Sequence, residues 1–230
     1  MTAEQQKREA ARYAADLVAD GMRVGLGTGT TARFLVEGLV ERVRAGLHFT
    51  GVPTSDEIAA LAMGEGLSLA TLDDCPHLDM TIDGADEVDP QLNLIKGRGG
   101  ALTREKLVAL AATRYVIIVD ESKLVDRLGD HHPVPVEVVP FGWVTTRGRL
   151  ETLGLDCTLR GGDKPFVTDN GNYILDCRPC AGCDLADPAT ANAIKLQTGV
   201  LEDGLFLGMA PLVVIGMAHG VETRSAETSF

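Results

Sequence analysis

In the first half of the chain, short apolar segments alternate with longer stretches of helical periodicity. That alternation limits the fold more than any other feature. Glu4–Ala19 sets Ala11, Ala14, Ala15 and Val18 at helical spacing and ends near Gly21, so it reads as an amphipathic helix. Arg23–Leu26 is a short strand entering a Gly/Thr turn, Thr31–Arg44 is helical, His48–Val52 is a strand and Ser55–Met63 a helix. Leu67–Thr71 reads as another short strand, and Leu78–Ile82 leads into an acidic loop. Leu102–Ala112 is helical again, before the buried-looking strand Tyr115–Val119. Strands separated by helices of this length imply βαβ units. The expected fold is therefore α/β, with a Rossmann-like, mostly parallel sheet covered by helices on both faces.

After Lys123 the pattern changes. Pro133, Pro135 and Pro140 bracket a strand at Val134–Val139, Gly142–Leu153 can be a helix, and Asp156–Arg160 is a strand. Phe166–Thr168 and Tyr173–Asp176 flank Asp169-Asn170-Gly171, and Asn-Gly accepts the positive φ of a tight hairpin turn. Asp187–Leu196 begins with Pro188 just inside a helix, and Val200–Leu207 reads as one strand. The order β-α-β-β-α-β is the ferredoxin-like α+β arrangement. The expected division is a Rossmann-like domain of residues 1–129 and 207–230 around a smaller domain of residues 130–206, with the stretch after Pro211 returning to the first sheet.

Charge and composition bear on partners. The formal charge is −12, which argues against a nucleic-acid or anionic-membrane partner. Six Phe, three Tyr and one Trp are too few for a base-stacking surface. A small anion held by a few cations and backbone N–H groups remains compatible with that balance. The first twenty residues carry charges throughout, and no apolar stretch approaches the ~20 residues that span a bilayer. Five Cys, an odd number, suit free thiols in a reducing cytoplasm better than a disulfide framework.

Three motifs could carry chemistry. Gly25-Leu26-Gly27-Thr28-Gly29-Thr30-Thr31 follows a strand and opens a helix, so backbone N–H groups and hydroxyls converge where an anion would sit. A dinucleotide fingerprint would need Gly at position 30 and an acidic residue some ~20 positions on, and a Walker loop would need Gly-Lys-Ser/Thr. Neither is present, and a phosphate monoester fits better. Asp83-Gly84-Ala85-Asp86-Glu87-Val88-Asp89 ends a strand, where ligands bind in open α/β sheets. Asp83 and Asp86 can face one cavity, as an acid and a base with divergent pKa values, or as oxygen ligands for a divalent metal. In Lys96-Gly97-Arg98-Gly99-Gly100-Ala101-Leu102-Thr103-Arg104-Glu105, glycines and cations approach a ligand and Glu105 can reach back as a general base.

Lys123, in Val119-Asp120-Glu121-Ser122-Lys123, adds a cation at the same strand edge. Cys177, Cys180 and Cys183 resemble part of a metal or iron–sulfur site, but four ligands are the rule, and adventitious thiols are the favoured reading. The inventory of carboxylates, lysines and a phosphate cradle matches proton abstraction beside a carbonyl, as in an aldose–ketose isomerase acting on a sugar phosphate. A sugar-phosphate deaminase, an acyl-CoA transferase and a sugar-phosphate-sensing regulator are the competing readings.

Together these motifs, with Pro135-Val136-Glu137-Val138 and Val167-Thr168-Asp169-Asn170-Gly171-Asn172, resemble the type A ribose-5-phosphate isomerase family over residues 4–207. The resemblance implies cofactor-independent interconversion of D-ribose 5-phosphate and D-ribulose 5-phosphate through an enediolate, in the pentose phosphate pathway, with no metal. It implies a homodimer or homotetramer. It makes Glu105 the base, Lys96 and the Gly97–Gly100 N–H groups the oxyanion stabilisers, and Asp83 with Asp86 the residues for ring opening and hydroxyl binding. Thr28, Gly29, Thr30, Thr31, Gly84, Ala85, Arg98, Gly99 and Lys123 complete the implied substrate contacts, with Lys7 a further phosphate candidate. Thr30 stands where Ser is commoner, Arg98 where many members have Gly, and Phe206-Leu207-Gly208 departs from the usual continuation.

Overall fold

The computed structural model describes residues 1–226, so positions 227–230 of the expected first domain lie outside the described residues. In chain order the elements are α1 (Ala3–Asp16), β1 (Arg23–Leu26), α2 (Thr30–Arg44), β2 (Thr50–Pro53), α3 (Asp56–Gly64), β3 (Leu78–Asp83), β4 (Glu87–Val88) and β5 (Leu94–Ile95). They continue with α4 (Leu102–Leu110), β6 (Ala112–Asp120), β7 (Val134–Val138), α5 (Trp143–Glu151), β8 (Leu155–Leu159) and β9 (Tyr173–Pro179). The last are α6 (Pro188–Lys195), β10 (Val200–Asp203), β11 (Leu205–Phe206), β12 (Leu212–Met217) and β13 (Gly220–Arg224).

Two units emerge. The first holds Met1–Ala85, Arg104–Lys123 and the chain from Met209 onward. Its six-stranded sheet runs β13-β12-β6-β3-β1-β2, parallel throughout except for the hairpin partner β13. The alternation of strand side chains decides what covers each face. Val24, Leu26, Met80, Ile82, Val116 and Ile118 pack against Ala10, Ala11 and Ala14 of α1, the Leu35–Leu39 stripe of α2 and Ile58 of α3. A second cluster packs Val52 and Leu78 with Val108 of α4. The small residues of α1 permit close approach: a Cβ on Gly216 of β12 would lie 1.9 Å from the Gln6 carbonyl oxygen. A capping box starts that helix, with Gln5 N–H donating to Thr2 Oγ1 at 3.3 Å and Thr2 N–H to Gln5 Oε1 at 2.8 Å.

The second unit holds Asp86–Thr103 and Leu124–Gly208. Its four-stranded antiparallel sheet has the order β10-β7-β9-β8, the order expected of a βαββαβ ferredoxin-like fold. Val134, Val136, Val138, Leu155 and Leu175 form its core with Leu150 of α5 and Ile194 of α6. The unit takes in more than the run 130–206, because Asp86–Thr103 clusters with it.

Three expected strands differ. Leu67–Thr71 makes only a single bridge, Leu69 to Gly51, because Thr71 immediately turns back, its N–H donating to Asp74 Oδ2 at 3.3 Å. Phe166–Thr168 is not a strand: residues 160–172 are an irregular connection folded around Thr168, whose N–H donates to the Asn172 carbonyl at 2.9 Å. Val200–Leu207 is two strands, β10 pairing with β7 and β11 with β5. Gly204 separates them, since a Cβ there would lie 2.3 Å from the Lys96 carbonyl oxygen. The small sheet β11-β5-β4 that results has no sequence signature, as strands of two residues carry no periodicity.

Candidate functional site

In the first unit the chain from β1 passes to β2 on one side and that from β3 passes to β6 on the other, so the strand order reverses between β1 and β3. A crevice outside the carboxyl ends of such strands is where open α/β sheets bind ligands. Register sets Leu26 beside Ile82, so the next residues, Gly27 and Asp83, flank that crevice. Gly27 is there of necessity: a Cβ on it would lie 2.0 Å from Asp83 Oδ1. Gly27 N–H donates to the Ile82 carbonyl at 2.9 Å, and Asp83 Oδ1 accepts from Thr28 N–H at 3.2 Å and Gly84 N–H at 2.7 Å. Asp83 is wholly buried, while Gly84 and Ala85 are half-buried.

Gly29 caps α2 with φ +103° and no side-chain hydrogen bond, leaving the first N–H groups of the helix to Thr30, Thr31 and what approaches them. Thr30 is exposed and Thr31 half-buried. The Thr28 hydroxyl is differently placed. It lies 2.7 Å from the Thr54 hydroxyl and donates to Ser55 Oγ at 2.9 Å, so it ties the loop to the end of β2. Thr54 and Ser55 were invisible as site residues in the sequence, where Thr54 fell between a strand and a helix and Ser55 opened the helix.

Glu105 sits in the first turns of α4, on the helix face that also carries the buried Leu102, Val108 and Ala109, and is itself 4% exposed. The same helix covers Gly25, where a Cβ would meet Val108 Cγ1 at 2.4 Å, and its Val108 carbonyl accepts the Thr81 hydroxyl at 3.0 Å. Lys123 is half-buried in a single 3-10 turn following β6, one strand beyond β3. Lys7 of α1 pairs with the buried Asp120 at 3.8 Å, at the carboxyl end of β6.

In the second unit, the three-stranded sheet joins the acidic loop to the glycine loop. Asp86 N–H donates to the Ile95 carbonyl at 2.8 Å, and Lys96 N–H to the Gly204 carbonyl at 2.9 Å. Asp86 Oδ2 accepts from Arg98 N–H at 2.9 Å. Lys96 is 2% exposed, its ammonium 5.5 Å from the centre of the Phe206 ring. Gly97 (φ +98°) and Gly100 (φ +87°) hold the left-handed conformations the loop needs, while Arg98 and Gly99 face solvent.

The acidic run divides by role. Glu87 is fully buried and accepts N–H bonds from Gly129, His131 and His132 at 2.5–2.7 Å. Asp89 Oδ1 accepts from Gln91 N–H at 2.9 Å and Asn93 N–H at 2.8 Å. Both carboxylates build loops. Glu137 is a third builder, taking hydroxyl bonds from Thr103 and from Thr168 (2.7 Å), and amide bonds from Asn170 (3.2 Å) and Asn172 (3.0 Å).

Arg160 is a positioning residue that sequence reasoning passed over as a strand end. Its Nη1 donates to the carbonyls of Gly97 at 3.1 Å and Arg98 at 3.0 Å, and its other edge forks onto Asp176, with Nε–Oδ2 at 2.9 Å. The glycine loop is thereby gripped by its own carbonyl oxygens.

The cysteines are five free thiols. Cys157 of β8 is directly opposite Cys177 of β9, because the two strands are neighbours. The Cys157 thiol and burial together hold the Cys177 thiol well above its usual pKa. Burial likewise raises that of Cys183, while Cys180 is exposed. Among the described residues no group of three or more His, Cys, Asp or Glu is arranged to hold a metal ion, and no helix is long and apolar enough to cross a membrane.

The sequence profile described as ribose 5-phosphate isomerase A (phosphoriboisomerase A) matches residues 50–220. The chain is 53% identical to the ribose-5-phosphate isomerase A of Gloeobacter violaceus over 94% of both chains. Among solved structures it is similar to ribose 5-phosphate isomerase A of Methanocaldococcus jannaschii, with 40% identity, a TM-score of 0.91 and coverage of 97% of this chain and 100% of that one. A D-ribose-5-phosphate isomerase in complex with phospho-erythronic acid gives 39% identity and a TM-score of 0.93, covering 98% of this chain and 100% of that one.

Proposed function

The chain belongs to the ribose 5-phosphate isomerase A family, and from that premise we propose how its residues interconvert D-ribose 5-phosphate and D-ribulose 5-phosphate. The enzyme is an isomerase, and its place in the pentose phosphate pathway follows from that activity. Asp83 assists ring opening, and Asp86 holds sugar hydroxyls. Glu105 removes the proton from C2 of the open aldose and returns it to C1, while the hydroxyl proton passes between O1 and O2. Lys96 and the N–H groups of Gly97 and Gly99 stabilise the enediolate oxygen that develops between the two steps, while the expected donors Arg98 N–H and Gly100 N–H are taken by Asp86 and by the Gly97 carbonyl. Thr30, Thr31 and the N–H groups opening α2 hold the phosphate, with Lys123 and Lys7 as nearby cations and Thr28, Gly29, Gly84 and Ala85 shaping the wall.

The observation that carries this assignment is burial. Glu105 is 4% exposed, Lys96 2% and Asp83 0%. Burying an ionisable group costs free energy, and the buried ones that do not build loops, as Glu87, Asp89 and Glu137 do, are candidates for chemistry. The reaction needs no cofactor or metal in this scheme, so chelators leave turnover unchanged; inhibition by EDTA reversed by one metal ion would overturn that part. The direct test is an isomerase assay on ribose 5-phosphate beside allose 6-phosphate and glucosamine 6-phosphate. Turnover of ribose 5-phosphate alone is expected; release of ammonia from the amino sugar instead would make it a deaminase.

A cytoplasmic, homodimeric or homotetrameric enzyme is part of the same proposal. The free thiols suit a reducing compartment, and exposed Met63, Leu107 and Leu110 suit contact with a second copy. Sedimentation of the pure protein distinguishes monomer from either assembly.

A further inference from the structure

Within the second unit a cavity of about 330 Å³ opens beside the glycine loop, lined by Arg98, Arg160, Arg178, His132, Asp86, Asp176 and two prolines. The fold explains why charges gather there. On β9 successive side chains alternate between faces, so Cys177 enters the core while Asp176 and Arg178 share the opposite face, and Asp176 lies across from Pro135 of β7. Arg160 follows β8 and reaches the same place, where Asp176 neutralises it. Asp86 is engaged by the Arg98 N–H. Neither the Arg98 nor the Arg178 side chain has an ion-pair partner among the described residues. Three arginines against two aspartates leave the lining positive in a chain whose formal charge is −12.

We propose that this cavity is a second anion site, separate from the threonine cradle, which takes a compact phosphate-bearing anion between Arg98 and Arg178. Its size lies at the small end of ligand pockets, which run from about 300 Å³. Planar guanidinium groups present paired donors that match phosphate oxygens better than an ammonium does. Arg160, already locked between Asp176 and two carbonyls, supplies a rigid floor, and His132 adds a ring to the wall. An anion seated there touches the glycine loop through Arg98. The inference rests on the proposed reading in placing the substrate phosphate in the threonine cradle.

Calorimetric titration with inorganic pyrophosphate, in the presence of saturating ribose 5-phosphate, tests it. The substrate fills the threonine cradle, so pyrophosphate is expected to bind one to one at the remaining site. Arg178→Glu, at an exposed position outside the reacting groups, is expected to weaken that binding by about tenfold or more while kcat and KM stay those of the parent. Arg178→Lys keeps the charge and retains part of the affinity. Absence of saturable binding when substrate is present, or equal affinity in Arg178→Glu, overturns the proposal.

Discussion

The two glycine loops are built on opposite plans. The loop Gly27–Thr31 lies between elements adjacent in sequence, β1 and α2, and is fixed by close approach: Gly27 has no room for a Cβ against Asp83. Its outward-facing groups are N–H donors at a helix start. The loop Gly97–Gly100 follows a strand of two residues and is fixed from outside, by Arg160 holding its carbonyls. Turning carbonyls toward a guanidinium leaves the N–H groups of Gly97 and Gly99 for an oxyanion, those of Arg98 and Gly100 being taken by Asp86 and by the Gly97 carbonyl. The first plan suits a phosphate that stays unchanged through the reaction, and the second suits charge that appears only at the transition state. Groups of the first kind contribute uniform binding and are read in KM; those of the second kind are read in kcat.

The largest expected effect lies outside both loops. Glu105→Gln preserves shape and removes the base, so kcat falls by about 10²- to 10⁴-fold while substrate binding persists. Binding is measured by calorimetry with ribose 5-phosphate. Near-parental turnover would return the proton transfer to a group on one of the loops, and the division of labour above would fail.

How much of this was legible follows from the same contrast. The first loop could be read directly, because strand, glycines and helix are contiguous and each announces itself by pattern. Glu105 and Lys96 were legible as residue types at a loop's two ends. Arg160 was not, since its bonds to Gly97 and Arg98 span 63 and 62 residues. Glu137 could be quoted as part of a motif, yet its role as acceptor for Thr103, Thr168, Asn170 and Asn172 is a property of three separate chain segments. The sheet β11-β5-β4 escaped because nothing in two residues distinguishes a strand from a loop, although it sets Asp86 and Lys96 at the ends of paired strands. The split of Val200–Leu207 hinged on Gly204, whose close approach to the Lys96 carbonyl is tertiary.

Gly27→Ala attacks the first plan. The methyl group would meet the Asp83 carboxylate at 2.0 Å and its Cα at 2.5 Å, so strand or carboxylate must shift. Overpacking of this kind costs about 1–3 kcal/mol of stability. A displacement of about 1 Å at the reacting centre lowers turnover by about a hundredfold. Thermal unfolding and steady-state kinetics separate the two consequences. An unchanged melting temperature with normal activity would mean that the tight contact with Asp83 has no bearing on function.

Arg160→Ala attacks the second plan, with an expected loss of about ten- to a hundredfold in kcat and little change in KM, because the loop it releases acts on the transition state. Arg160→Lys is expected to rescue poorly, since an ammonium cannot reach Asp176 and two carbonyls at once. A loss confined to KM would move the glycine loop from oxyanion stabilisation to ground-state binding.

The mildest change draws the distinction most finely. Thr31→Val keeps the shape of the side chain and removes one hydroxyl at the start of α2, leaving the backbone N–H groups in place. A hydrogen bond to a charged group contributes about 1.5–3 kcal/mol, and half-exposure sets the effect near the lower bound, about tenfold. That tenfold should appear as a higher KM for ribose 5-phosphate with kcat unchanged. The phosphate has the same charge in aldose, enediolate and ketose, so a group that touches it has nothing to discriminate. If kcat falls instead, the cradle senses the progress of the reaction, and the threonine loop and the arginine-gripped loop are two parts of one transition-state device.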